Sequence, residues 1–340
     1  MIAVALSGGV DSFASALLLK NKGYKIFGIH FLTGYETNEK KNIEIVQKNA
    51  QLLDIKCETI NIKEVFQKYI VDYFVDSYQK CLTPNPCMLC NSKIKFTIIL
   101  DYVLKLGATH LATGHYAKIE KNGKYCLLKG DDKNKDQSYF LALLNQNQLK
   151  HALFPLAYET KENIKKLCLS RGFLYSQLNE SQEICFIKNQ NYSSFLSEQK
   201  NFKKSKGPII NTDGKIIGNH QGLHAFTIGQ RKGINCPAPW PYYVVKLDHK
   251  NNALIVGKKN DLMSYEFNVN NINWIQDQLI KTTQINVRIR YRCKEIPAAI
   301  IPKDNNCAAI KFDKPQMAVT PGQVAVFYID NKVIGGGFIS

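Results

Sequence analysis

The sequence predicts an α/β fold class: a parallel sheet with helices on both faces, followed by two small β-rich domains. Three observations carry this reading. Short runs of branched apolar residues alternate with stretches of helical spacing in the first part of the chain, helical periodicity fades from about residue 200, and 340 residues exceed what one core usually organises.

The first strands are IAVALS (2–7), KIFGIHFL (25–32) and KCETINI (56–62), each followed by a longer stretch with helical spacing. Strand–helix alternation of this kind builds a parallel sheet covered by helices. After a cysteine-rich stretch, CLTPNPCMLCN (81–91), residues Ile94, Ile98, Ile99, Val103 and Leu104 fall on one helical face, and ATHLATG (108–114) supplies another buried strand. A nucleotide site is expected at the carboxyl ends of these strands. Turn signals at Asn211-Thr212-Asp213-Gly214 and Lys250-Asn251-Asn252, with alternating segments such as YYVVKLD (242–248), QINVRIRYR, AAIKF and QVAVFYI, indicate β structure for the remainder. The expected division is 1–199, 200–262 and 263–340.

No stretch approaches eighteen consecutive apolar residues, so no bilayer-spanning helix and no membrane partner are expected. MIAVALSGG reads as a strand entering a turn, not as a secretory leader, which points to the cytoplasm. There the ten cysteines should be mostly reduced, and most are expected to be small buried hydrophobes. A formal charge of +17 favours a polyanionic partner. Residues 200–262 are the basic part, with 11 Lys/Arg against 3 Asp/Glu.

ALSGGVDS, residues Ala5, Leu6, Ser7, Gly8, Gly9, Val10, Asp11 and Ser12, lies directly between the first strand and a helical run. Glycines let backbone amides approach a phosphate, the two serines add donors, and the helix start presents its positive end. No lysine follows the glycines, so the loop is not of the GxxxxGK[ST] type. Asp11 would repel phosphate unless a cation stood between them, which suggests Mg2+.

ALSGGVDS resembles the SGGxDS loop of the N-type ATP pyrophosphatases, which cleave ATP between the α and β phosphates and adenylate a carbonyl oxygen. The resemblance implies that Phe31 contacts adenine and that Gly114 approaches the nucleotide. A nucleophile must then displace AMP, and cysteines are what the chain offers. Cys90 precedes Asn91-Ser92-Lys93, where a helix start and the Lys93 charge are expected to lower its pKa; Cys185 lies in SQEICFI (181–187), with Glu183 nearby.

Taken in order, SGGVDS, TPNPCMLCN with KIKF, TGHYA, KDQSYFL, QEICFI, TIGQRKG, RYR and VTPGQ resemble the bacterial tRNA-specific 2-thiouridylases, and they span residues 7–323. The resemblance implies an adenylating α/β domain, a small central domain and a C-terminal β-barrel. Its implied substrates are ATP, with Mg2+, and the wobble uridine of the tRNAs for Lys, Glu and Gln. It also implies a persulfide on Cys185, Cys90 as second catalytic thiol, a Cys90–Cys185 disulfide after turnover, and a cysteine desulfurase or sulfur-relay protein as donor. Lys135, Asp136, Gln137, His115, Arg290, Tyr291 and Gln323 match tRNA-contact positions, and Asn85, Pro86 and Cys87 match the turn at the target base.

One position departs from the pattern. The family usually has an aspartate where this chain has Cys87, and a thiol is a poorer acceptor and rarely charged at neutral pH. The substitution creates a Cys87/Cys90 CxxC with Cys81 nearby. With Cys185, that leaves open an iron–sulfur-dependent thiolase, or a zinc-stapled RNA-binding protein without catalysis.

Overall fold

A computed structural model describes residues 1–173, 184–187, 191–199, 201–304 and 306–340. Strands β1 (Ile2–Ala5), β2 (Ile26–Leu32), β3 (Cys57–Asn61) and β4 (His110–Ala112) are followed by a hairpin, β5 (Ala117–Asn122) and β6 (Lys124–Lys129), and by β7 (Ala152–Leu153). The first sheet runs β3-β2-β1-β4-β7 and is parallel throughout. Alternation along β1 sorts its two faces. Ile2 and Val4 join a core with Val10, Phe13 and Ala16 of α1 (Val10–Asn21) and Val46 of α2 (Glu39–Leu52). Ala3 joins another with Phe66 and Phe74 of α3 (63–79) and Ile94, Ile99 and Val103 of α4 (86–105). Helices therefore cover both faces, as expected from the strand–helix alternation.

Both α3 and α4 contain wide π-type turns, at Gln67–Val71 and Cys90–Ile99, the second kinked internally at Phe96, where φ is −94° and ψ 15°. Among the described residues three shorter α-helices follow: α5 (Gln146–His151), α6 (Lys161–Leu169) and α7 (Tyr192–Ser197). Among the described residues no helix is long and apolar enough to cross a membrane.

The central sheet contains β8 (Gly207–Asn211), β9 (Ile216–His220), β10 (Tyr243–Asp248) and β11 (Ala253–Gly257) in the order β10-β11-β8-β9. Its core gathers Ile209, Val244, Leu254 and Val256 with Leu223, Phe226 and Ile234. The strands β12 (Met263–Trp274), β13 (Thr283–Arg288), β14 (Ile296–Lys303), β15 (Cys307–Met317), β16 (Val324–Ile329) and β17 (Lys332–Ile339) close into an antiparallel barrel because β12 pairs with both β15 and β17.

The barrel does not stand apart from the first sheet. Alternation along QVAVFYI sends Ala325 and Phe327 into the barrel interior, while Val324, Val326 and Tyr328 pack into the core shared with α3 and α4. The β5–β6 hairpin also extends the barrel sheet, with Lys332 opposite Leu128 and Val333 opposite Leu127.

Candidate active site

The phosphate-type loop lies between the carboxyl end of β1 and α1. Gly8 takes a left-handed φ of +83°, and Gly9 caps α1. The serines brace the turn: Ser12 Oγ donates to Gly9 O at 2.8 Å, and Ser7 N reaches Ser12 Oγ at 3.2 Å. Val10 and Leu6 are buried beneath it, with Ala5 half-buried at the strand end. Gly114, two residues beyond β4, lies so close that a Cβ would stand 2.9 Å from the carbonyl carbon of Asp11. Phe31, near the end of neighbouring β2, is half-buried against the α3–α4 core.

Asp11 is not free. Lys161 Nζ donates to both its oxygens at 2.7 Å, and Tyr116 Oη donates to Oδ1 at 2.9 Å. Lys161 and Tyr116 thus engage both carboxylate oxygens, so Asp11 as arranged would serve the expected role of magnesium ligand only after Lys161 moves aside. Lys161 was invisible to motif reading because it stands 150 residues from its partner.

The cysteine turn differs from the sequence expectation in three respects. Helix α4 starts at Pro86, with Asn85 as its cap residue, so Cys87 occupies the first turn and Cys90 the next. Proline suits that first position because the amide it lacks would have no helical partner there. Nor are the thiols acidified. Burial pushes Cys87 and Cys90 each up to about 11, a larger effect than any nearby charge. The opposing cation is Lys95, half-buried; Lys93 faces solvent.

Cys185 is the one exposed cysteine of the ten, yet crowding around its sulfur also raises it to about 11, followed by Cys90. Exposure governs its access to reagents; crowding sets the direction of its titration. Cys87 responds to Cys185, Cys185 to Cys90 and Cys90 to Cys87, and all three respond to Lys95, so the three thiols form one neighbourhood. Glu36, just past β2, raises Cys185 further. Glu183 lies outside the described residues. Among the described residues no group of three or more His, Cys, Asp or Glu is gathered so that it could hold a metal ion.

The barrel clamps the cysteine turn. Thr83 N donates to Pro321 O at 2.9 Å, and Gln323 Nε2 donates to Thr83 O at 2.8 Å. Gly322, at φ +90°, leaves no room for a side chain, since a Cβ would come within 2.8 Å of Leu82 and Thr83. Tyr139, whose hydroxyl donates to Val324 O at 2.8 Å, also bonds the Asn85 side chain. Arg290 donates to Ala318 O at 2.7 Å, to Ile228 O at 3.3 Å and to Thr320 Oγ1, while Tyr291 packs on Phe140 at 4.3 Å.

The remaining sequence-predicted residues divide by exposure. Lys135 and Gln137 are half-buried; Gln137 Oε1 accepts from Tyr116 N at 3.2 Å. Asp136 is buried, accepts from Gly130 N at 3.2 Å and Ser138 N at 3.1 Å, and pairs with Arg288 at 2.9 Å. His115 is buried between Phe96 and Phe154, with Nδ1 2.7 Å from Thr113 Oγ1 and its pKa far below the usual value.

Residues 1–189 match the family model described as a tRNA methyl transferase HUP domain, 193–258 a tRNA methyl transferase PRC-barrel domain, and 264–339 an aminomethyltransferase β-barrel domain. The tRNA-specific 2-thiouridylase MnmA of Desulfosudis oleivorans is 44% identical over 340 residues, covering 100% of this chain and 94% of its own. The tRNA-specific 2-thiouridylase MnmA of Halothermothrix orenii is 42% identical over 351 residues, covering 99% of this chain and 98% of its own. A solved structure described as a predicted subunit of tRNA methyltransferase from Methanocaldococcus jannaschii aligns at 20% identity and TM-score 0.34, over 50% of this chain and 75% of its own, too slight a likeness to bear on the site. With full-length relatives of this similarity, the chain belongs to the MnmA family of tRNA-specific 2-thiouridylases.

Proposed function

We propose that this protein is a sulfurtransferase that uses ATP to replace the 2-oxygen of the wobble uridine in the tRNAs for Lys, Glu and Gln with sulfur. The observation that carries the reading is the neighbourhood of Cys87, Cys90 and Cys185, with Glu36 just past β2 beside it, while the ALSGGVDS loop follows adjacent β1. A nucleotide loop and a set of thiols at one end of a parallel sheet suit adenylation followed by sulfur transfer.

The uridine 2-oxygen attacks the α-phosphorus of ATP, and pyrophosphate leaves. The terminal sulfur of a Cys185 persulfide attacks C2 of the base and AMP departs. The Cys90 thiolate then attacks the inner sulfur of Cys185; the sulfur–sulfur bond to the base breaks, leaving 2-thiouridine and a Cys90–Cys185 disulfide. A dithiol reductant restores both thiols, and a cysteine desulfurase or relay protein reloads Cys185. Lys95 favours the thiolate against the burial that opposes it.

Half-buried Lys135, Gln137 and Tyr291 have surface to offer RNA, and an aromatic beside arginine suits an unstacked anticodon base. Asn85, Pro86 and Cys87 line the target base. Buried Asp136 and His115, and Gln323 and Arg290 with their internal bonds, act by shaping these surfaces. The domains divide near residues 199 and 262, with activity residing in the first and RNA recognition shared with the basic central domain and the barrel.

The test is reconstituted thiolation with tRNA, ATP and a cysteine desulfurase as sulfur source. Cys185→Ser abolishes sulfur incorporation while tRNA binding persists; thiolation by that variant at the wild-type rate rules out the persulfide assignment.

A further inference from the structure

The ALSGGVDS loop carries no lysine of its own, yet one reaches it from α6. Lys161 opens that helix, which is capped by Thr160 Oγ1 accepting from Asn163 N at 3.3 Å and anchored by Lys161 N donating to Asp132 Oδ2 at 3.0 Å. Ile164 and Cys168 hold α6 in one core with Val10 and Phe13 of α1, and the Cys168 thiol reaches Val10 O at 3.8 Å. The ammonium is thereby carried to the first turn of α1 on a rigid support.

The pair is asymmetric. The Lys161 side chain is only 8% exposed, whereas that of Asp11 is 31% exposed. A desolvated ammonium needs an anion beside it at all times. Asp11 is that anion when no phosphate is bound. Conversely, an aspartate in a phosphate-binding loop repels its ligand unless a cation intervenes, and Lys161, with both contacts at 2.7 Å, is that cation. Tyr116, bonded to Asp11 and lying 5.9 Å below the ammonium, fixes the carboxylate so that the lysine can shift while its partner stays in place.

We propose that Lys161 is the phosphate-charge residue of this site: its ammonium shifts from Asp11 toward the pyrophosphate part of ATP and stabilises the charge that pyrophosphate gains as it leaves. Together with the amino end of α1 it supplies, from a distant helix, the positive charge that a loop lysine provides elsewhere. The assignment rests on the adenylating reading given above.

The test compares binding of inorganic pyrophosphate and of AMP to the full-length protein at one fixed magnesium concentration. Lys161→Gln weakens pyrophosphate binding at least about tenfold, the scale of one charge-assisted contact, and leaves AMP within about twofold. Lys161→Arg retains most of the pyrophosphate affinity. If the single variant fails to fold, Asp11→Asn/Lys161→Gln removes the pair together and is expected to fold and still bind pyrophosphate weakly. Equal losses for pyrophosphate and AMP, or no loss for either in a folded variant, overturn the proposal. A wild-type protein that binds ATP but releases no pyrophosphate in the presence of tRNA overturns the adenylating reading instead.

Discussion

Replacing Asp136 with alanine tests whether this residue serves RNA directly or the architecture beneath it. Its side chain is 3% exposed, its Oδ1 accepts two backbone amides at 3.1 and 3.2 Å, and its Oδ2 pairs with Arg288 at 2.9 Å. Removing one member of a buried ion pair costs about 3–5 kcal/mol, and each orphaned amide adds roughly 1 kcal/mol. Arg288 keeps Glu295 at 3.0 Å, which is itself paired with Lys129 at 2.6 Å, so the pair loss falls at the lower end of that range. The sum is about 5 kcal/mol, or a fall of roughly 10 °C in the first thermal transition. Asp136→Asn, which keeps an acceptor for both amides, loses about half as much. Unfolding followed by tryptophan fluorescence, alongside filter binding of tRNA, separates the alternatives. An Asp136→Ala protein that melts within about 2 °C of wild type yet binds tRNA poorly refutes the structural role and restores a direct contact.

Gly114→Ala forces a Cβ to 2.9 Å from Asp11 and is expected to cost about 1–3 kcal/mol while displacing the loop, read as a tenfold or greater loss of ATP affinity by calorimetry. Iodoacetamide labels Cys185 before the other nine cysteines, and because its thiol is raised to about 11, the labelling rate climbs roughly tenfold per pH unit from pH 7 to 10 without a plateau, as mass mapping at several pH values can check. His115 is held neutral by burial, with its folded pKa below its unfolded value of about 6.5; the unfolded chain therefore binds the extra proton first, and stability present above pH 6.5 falls as pH drops below it. His115→Gln is expected to flatten that slope in urea titrations from pH 7 to 5.

The catalytic sheet was legible because β1, β2 and β3 are short apolar runs whose alternation reports burial directly. ALSGGVDS was legible because every residue that shapes the loop is local. Less is legible where local signals compete. Asn85-Pro86 reads equally as a turn or as a helix start, and only packing decides that α4 begins there, which moves Cys90 one turn inward. The π-type winding brings Lys95 and not Lys93 to the thiols, a choice that regular helical spacing cannot foresee. The pairs Asp11–Lys161 and Asp136–Arg288 depend on contacts between residues about 150 apart. The hairpin was within reach: Asn122-Gly123 between alternating segments is a turn signal, and Gly123 has φ +68°.

That hairpin bears on how the chain can be cut. Lys124–Lys129 finds its second partner strand only in residues 332–339, more than 200 positions later. A fragment ending near residue 199 would leave Leu127 and Leu128 on an uncovered strand edge, a template for self-association. It would also expose the apolar face that Val324, Val326 and Tyr328 otherwise cover. Synthesis from the ribosome therefore holds this edge open until residues 332–339 have emerged, and the hairpin and the barrel mature together.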